Sequence, residues 1–232
     1  MKNQMKRHIR ILAKSAFTLI PILIISSGCA TPLKTVMKSY QAAPTCCESM
    51  KDFRFETIVV GDSKSFILNE TSPAYLFDTG KSFFKAFALP QFSYPYHVSV
   101  KSYMLGQTRN SWYIFYPKVI TLNKDFEVVR STDSRSFQFQ RAGFIETAKE
   151  TFGMMYKIEG HISFTEENKA ERYLIILTTD ELLRGNTFLV SEKFAPIVLP
   201  GLVTAVPTGN KEVMLVPRSP SGRINISVLR HD

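Results

Sequence analysis

Reactive-site signatures are what this 232-residue sequence is shortest of. It has no Gly-x-Ser-x-Gly elbow, no His-Glu-x-x-His pair, no phosphate-binding loop and no dinucleotide fingerprint. Those gaps remove the familiar sequence routes to serine hydrolysis, zinc hydrolysis, phosphoryl transfer and hydride transfer. Gly61-Asp62-Ser63 comes nearest to an esterase motif, but it falls between two expected strands and has no matched histidine. Histidine is scarce, and outside the leader only His97, His161 and His231 are available. The first two fall on the water-facing sides of expected strands. There are three cysteines, and no four-ligand zinc set can be assembled from them and the histidines. Carboxylate pairs for glycoside chemistry are numerous, but spacing along the chain gives no distances. The expectation is a non-enzymatic protein without metal or cofactor.

Acidic residues are missing from the first 28 positions, where Lys2, Lys6, Arg7, Arg10 and Lys14 precede an apolar run, Ala16 to Ile25. That run is about ten residues, short of the ~20 that a spanning helix needs, and has the length of a signal-peptide core. Ser26-Ser27-Gly28-Cys29 follows. It resembles the lipobox of bacterial lipoproteins, with Ser26 where a leucine-like residue is usual. Residues 1–28 therefore read as a signal peptide, and Cys29 as the new N-terminus that takes lipid. Each buried methylene contributes about 0.8 kcal/mol, so the two or three chains such a cysteine carries anchor stably. Ala30 is not the aspartate that often retains lipoproteins in the inner membrane, which favours the outer membrane, facing the periplasm.

The formal charge of +9 is no nucleic-acid signature. Five of the 29 basic residues leave with the leader, so 24 remain against 20 acidic residues, a net +4 with no basic run. Cys46 and Cys47 are adjacent, in an oxidising compartment. Neighbouring Cα atoms lie about 3.8 Å apart, below the usual disulfide range of about 4.4–6.8 Å. A vicinal disulfide, two reduced thiols and a bond to a second chain all remain open on that reading.

Residues 29–44 read as a lipidated N-terminus and flexible tether, with about 20 Å of mean reach, and the folded domain as residues 45–232. Helix periodicity is nearly absent. Period-two alternation dominates: Tyr96 to Met104, Phe137 and Phe139, Ile158 to Phe164, and Ile224 to Val228. Tyr173 to Leu177 is apolar on both faces and reads as a central strand. Turn signals stand at Thr79-Gly80, Leu105-Gly106, Pro207 to Asn210 and Ser219 to Gly222. Short helical turns are expected at Ile145 to Thr151 and Asp180 to Arg184. The fold class is all-β, an antiparallel β-sandwich with one or two short helical turns.

Eighteen phenylalanines and nine tyrosines contrast with a single tryptophan, Trp112. Trp112, Tyr113, Phe115 and Tyr116 form a dense aromatic cluster. If exposed, Trp112, Tyr113 and Tyr116 could stack on sugar rings; otherwise they are core.

Several segments occur in a recognisable order. They are Cys46-Cys47 before Phe53-Arg54-Phe55; Ser72-Pro73-Ala74-Tyr75-Leu76-Phe77; Gly80 through Pro90; Phe115-Tyr116-Pro117-Lys118-Val119 with Leu122; and Arg172 through Asp180. The set resembles the maltose operon periplasmic protein (MalM-like) family from about Thr45 onward. The resemblance implies an envelope protein associated with maltose or maltodextrin uptake and supplies no catalytic residue. The expected partners are the membrane, through lipid on Cys29, and maltodextrin or envelope transport proteins. A structural lipoprotein that binds an envelope polymer or protein complex is the alternative, and a carbohydrate-active hydrolase a further one.

Overall fold

The computed structural model describes residues 31–106, 108–132, 134–141, 156–199 and 202–230. The leader, Cys29, the turn expected at Ile145 to Thr151 and His231 lie outside them.

Two five-stranded sheets carry the alternating segments. The first has the order β1 (Phe55–Thr57), β5 (Lys85–Ala88), β12 (Tyr173–Leu177), β8 (Lys118–Leu122) and β9 (Val128–Ser131). The second runs β10 (Phe137–Arg141), β11 (Tyr156–Phe164), β6 (Tyr96–Tyr103), β15 (Gly222–Arg230) and β2 (Ser63–Leu68). All neighbours are antiparallel except β1 and β5. One core lies between the sheets. Phe87, Val119, Leu174 and Ile176 face it from the first, and Val98, Val100, Ile158, Ile162, Ile224 and Ile226 from the second. The all-β sandwich is therefore the architecture.

Strand β12 is the middle strand of its sheet, and its two apolar faces have separate partners. Leu174 and Ile176 enter the main core. Ile175 and Leu177 join a second cluster with Phe53, Phe77, Phe84, Ile120 and Leu122 on the outer face. The outer cover comes from residues before β1 and from the hairpin β3 (Ala74–Phe77) and β4 (Gly80–Phe83). Gly80, at φ +109°, makes that hairpin's turn, and a Cβ there would lie 2.3 Å from the Asp180 carboxyl carbon. Phe83 and Phe84 are both buried because the chain crosses between strands there, sending one ring to each core. Cys46 and Cys47 are joined in a vicinal disulfide. The Cys46 N–H donates to Ala74 O at 2.8 Å, and Cys47 packs on the outer cluster.

Two expectations need correction. The segment read as tether contains helix α1 (Leu33–Ala42), with Val36 and Tyr40 buried. Its apolar stripe is too short to signal itself, but a helix of this length draws stability from tertiary contacts. The Tyr40 ring meets Phe83 edge-on, its hydroxyl donates to Lys81 O, and Lys81 Nζ donates to Gln41 O in the last helical turn and to Ala43 O just past it. The second correction concerns Pro207 to Asn210. Those residues lie within β14 (Leu202–Ser219), which pairs with β13 (Asn186–Leu199) in a long antiparallel ribbon. Register shifts between Glu192 and Phe194, opposite Gly209 at φ +73°. The turn-forming residues are absorbed as a bulge rather than a reversal. The base of β14 pairs in parallel with β7 (Ile114–Phe115).

Helix α2 (Asp180–Arg184) forms where expected, with Thr179 Oγ1 accepting the Leu182 N–H at 3.1 Å. The Ser219 to Gly222 signal joins β14 to β15.

Candidate binding cleft

Strand register brings three loops to one end of the sandwich. Ala88 pairs with Tyr173, Tyr173 with Leu122, and Tyr96 with Phe164. The β5–β6 loop, the β8–β9 turn and the β11–β12 loop therefore leave side by side. Between them is a cleft of about 490 Å³ lined by Gln91, Phe92, Tyr94, Asp125, Glu166 and Arg172, among others.

Each loop is held from within. In the β8–β9 turn, Asn123 Oδ1 accepts the N–H groups of Asp125 (2.8 Å) and Glu127 (3.0 Å). In the β11–β12 loop, the buried Glu171 accepts from Arg130 Nη2 at 2.9 Å and from Asn168 Nδ2 at 3.0 Å. The Arg130 guanidinium caps the Phe164 ring at 4.8 Å; Phe164 stacks on Tyr96, and Tyr96 on Tyr94. That column fixes the floor. Burial pushes the Tyr94 phenol above its usual range, with Glu166 and Glu171 adding and Arg172 opposing. Its buried hydroxyl has no hydrogen-bond partner among the described residues.

On the wall, Arg172 donates through Nη1 to Gln91 Oε1, and Gln91 Nε2 donates to Leu89 O at 3.2 Å. Phe92 stands apart: its backbone has φ +64° and its side chain is 95% exposed. The cleft mixes cationic Lys124, Lys169 and Arg172 with anionic Asp125 and Glu166, so neither sign dominates.

The aromatic cluster marked in the sequence lies outside the cleft. Tyr113 and Tyr116 are buried. The Tyr116 ring is covered by the Arg218 guanidinium at 3.9 Å, and burial lowers the affinity of that guanidinium for its proton. Trp112 is partly buried against the core and neighbours Tyr156. The Tyr113 and Tyr116 rings are therefore covered by protein, and Trp112 is covered in part.

The outer face of the second sheet holds a polar cluster around Glu159. Burial pushes its carboxyl up. The hydrogen bond and charge of Lys157, the Ser99 hydroxyl and Lys101 outweigh that and leave it below the ordinary range. Ser99 Oγ (3.0 Å) and Gln140 Nε2 (2.7 Å) donate to it, and His161 Nε2 lies 3.6 Å away. The His97 and His161 rings are 5.8 Å apart, on the side expected from the alternation. Ser63 accepts from Asn225 Nδ2, so Gly61-Asp62-Ser63 is a strand entry and not a nucleophile elbow. No group of three or more metal-ligating side chains occurs among the described residues.

The sequence reading missed the cleft. Its one local signal was an aromatic pair, Phe92 and Tyr94, set in the proline-bounded loop Pro90 to Pro95.

The fold is an all-β sandwich with a cleft among the loops at one end. The model of the family described as "Maltose operon periplasmic protein precursor (MalM)" matches residues 79–227, more than half of the chain, and this protein belongs to that family. That places it in a periplasmic, maltose-operon-associated class. All cleft residues fall inside the matched range, whereas α1 and the disulfide precede it. No curated protein and no solved structure matches the chain. No helix among the described residues is long and apolar enough to cross a membrane.

Proposed function

We propose that this protein is a non-enzymatic accessory of maltose or maltodextrin uptake, held on the periplasmic side of the outer membrane by lipid on Cys29. The family match over residues 79–227 carries the reading, and Ser26-Ser27-Gly28-Cys29 after the basic and apolar leader supports the anchor. An in-frame deletion should slow uptake of labelled maltoheptaose at limiting concentration, and the wild-type gene should restore it. Undiminished uptake in the deletion strain rejects the role. Release of glucose from maltodextrin by the purified protein rejects the non-enzymatic part.

A second reading, a structural lipoprotein bound to an envelope complex, has one observation in its favour. Phe188 opposite Leu215, and Val190 opposite Val213, place four exposed apolar side chains on one face of the β13–β14 ribbon.

A further inference from the structure

We infer that the loop-end cleft is a binding site for a neutral oligosaccharide, with Phe92 as the stacking face and Arg172 as the principal hydroxyl partner. The choice of an α-glucan within that class rests on the uptake reading; the class itself rests on the cleft.

Phe92 gives the first argument. A bulky residue at positive φ is strained, and such strain persists only where the surroundings over-determine it. Phe126, at φ +65°, shows the ordinary compensation: its ring stacks on Tyr173 at 4.9 Å and 9°. Phe92 has no such compensation, since its side chain is 95% exposed. The backbone bears the strain and the ring faces water at the rim of a cleft. An aromatic face displayed this way suits the C–H face of a sugar ring.

The polar lining gives the second. Arg172 has five N–H donors, of which one is used by Gln91 Oε1. Asp125 and Glu166 supply acceptors in the same cleft. Hydroxyl groups both donate and accept, so they match a mixed set. An anion would meet Asp125 and Glu166; a cation would meet Lys124, Lys169 and Arg172. A neutral polyhydroxyl ligand avoids both penalties. The third argument is preorganisation. The Arg130–Glu171 pair and the Phe164–Tyr96–Tyr94 column fix the loops before any ligand arrives. The volume of about 490 Å³ falls within the roughly 300–1,000 Å³ of small-molecule sites.

Calorimetry on the full chain in a zwitterionic detergent that carries no sugar tests this, with maltotriose, maltoheptaose, cellotriose and chitotriose as probes. The maltooligosaccharides should bind with dissociation constants of about micromolar to millimolar. Phe92→Gly removes the ring and accommodates positive φ, so it should weaken binding roughly tenfold or more without lowering the unfolding temperature. Phe188→Thr, a change at an exposed phenylalanine far along the chain, should bind as wild type. Heat from none of the four sugars overturns the inference, as does unchanged binding in Phe92→Gly. Binding of cellotriose or chitotriose, but not of the maltooligosaccharides, supports the cleft and counts against the maltodextrin reading instead.

Discussion

Glu56 shows how much a single exposed side chain can join. It lies on β1, in the first sheet, and accepts from Lys64 on β2, in the second, at 2.8 Å; Lys85 on β5 reaches its other oxygen at 2.7 Å. Hydrogen bonds from Lys64 and then Lys85 pull its carboxyl down to about 2 from an ordinary 4.5. A carboxylate depressed in the folded state stabilises the fold above the unfolded value, and that contribution is lost as pH falls from about 4.5 toward 2. The side chain is 41% exposed, so solvent screening keeps the effect at about 1 kcal/mol or less. Denaturant midpoints should therefore drop less between about pH 5 and about pH 2.5 in Glu56→Gln than in wild type. Parallel pH profiles for the two proteins would refute the assignment.

At the scale of elements, α1 is the part whose stability depends most on a few contacts. Val36 and Tyr40 are its two buried residues, and Tyr40 has several partners: the Phe83 ring, Lys81 O and the Lys81 ammonium 5.4 Å above its ring. Burial, with the Asp180 charge adding, pushes the Tyr40 phenol up to about 12. Lys81 also completes the helix, because its ammonium meets the exposed carbonyls at the negative end of the helix dipole. Tyr40→Ala should release α1 and cost about 3 kcal/mol, in line with aromatic truncations in cores. Hydrogen exchange of residues 33–42 would then accelerate while that of β6 and β15 stays slow, since those strands pack between other partners in the second sheet. Uniform acceleration across the domain would instead make α1 part of the global folding unit.

For the whole molecule, docked α1 changes how the domain would sit on a membrane. Ala30, Thr31 and Pro32 separate Cys29 from the helix start at Leu33. Three residues span at most about 10 Å, against the roughly 20 Å of a free 15-residue coil. With lipid on Cys29, the helix end of the sandwich is expected to rest at the headgroups. Neutron reflectometry of the lipidated protein on a supported bilayer should show protein density beginning within about 10 Å of the headgroups. A flexible insertion of about 15 residues after Ala30 should open a solvent layer there. An equal gap in both proteins would show that α1 undocks at the membrane.

Period-two alternation was enough to identify β6, β10, β11 and β15, because one face of each is apolar and meets the core while the other is largely polar, even where Ser99, Tyr103 and Asn225 on that face are buried. The doubly apolar Tyr173 to Leu177 likewise marked the central strand, since both its faces are covered. Gly80 was legible for a similar reason, since a positive φ is a local demand that glycine meets. Sequence could not show which aromatics are covered. Trp112, Tyr113 and Tyr116 resemble Phe92 in composition, yet Arg218 and the core lie over them while Phe92 stays bare. Exposure is decided by segments distant in sequence, as is the cleft, whose loops meet only through the pairing of β5, β12 and β8. The same holds for α1, whose anchoring Tyr40 finds its partners in a hairpin some forty residues later. Local propensity set the strands and turns; long-range pairing chose which surfaces they hide and which they present.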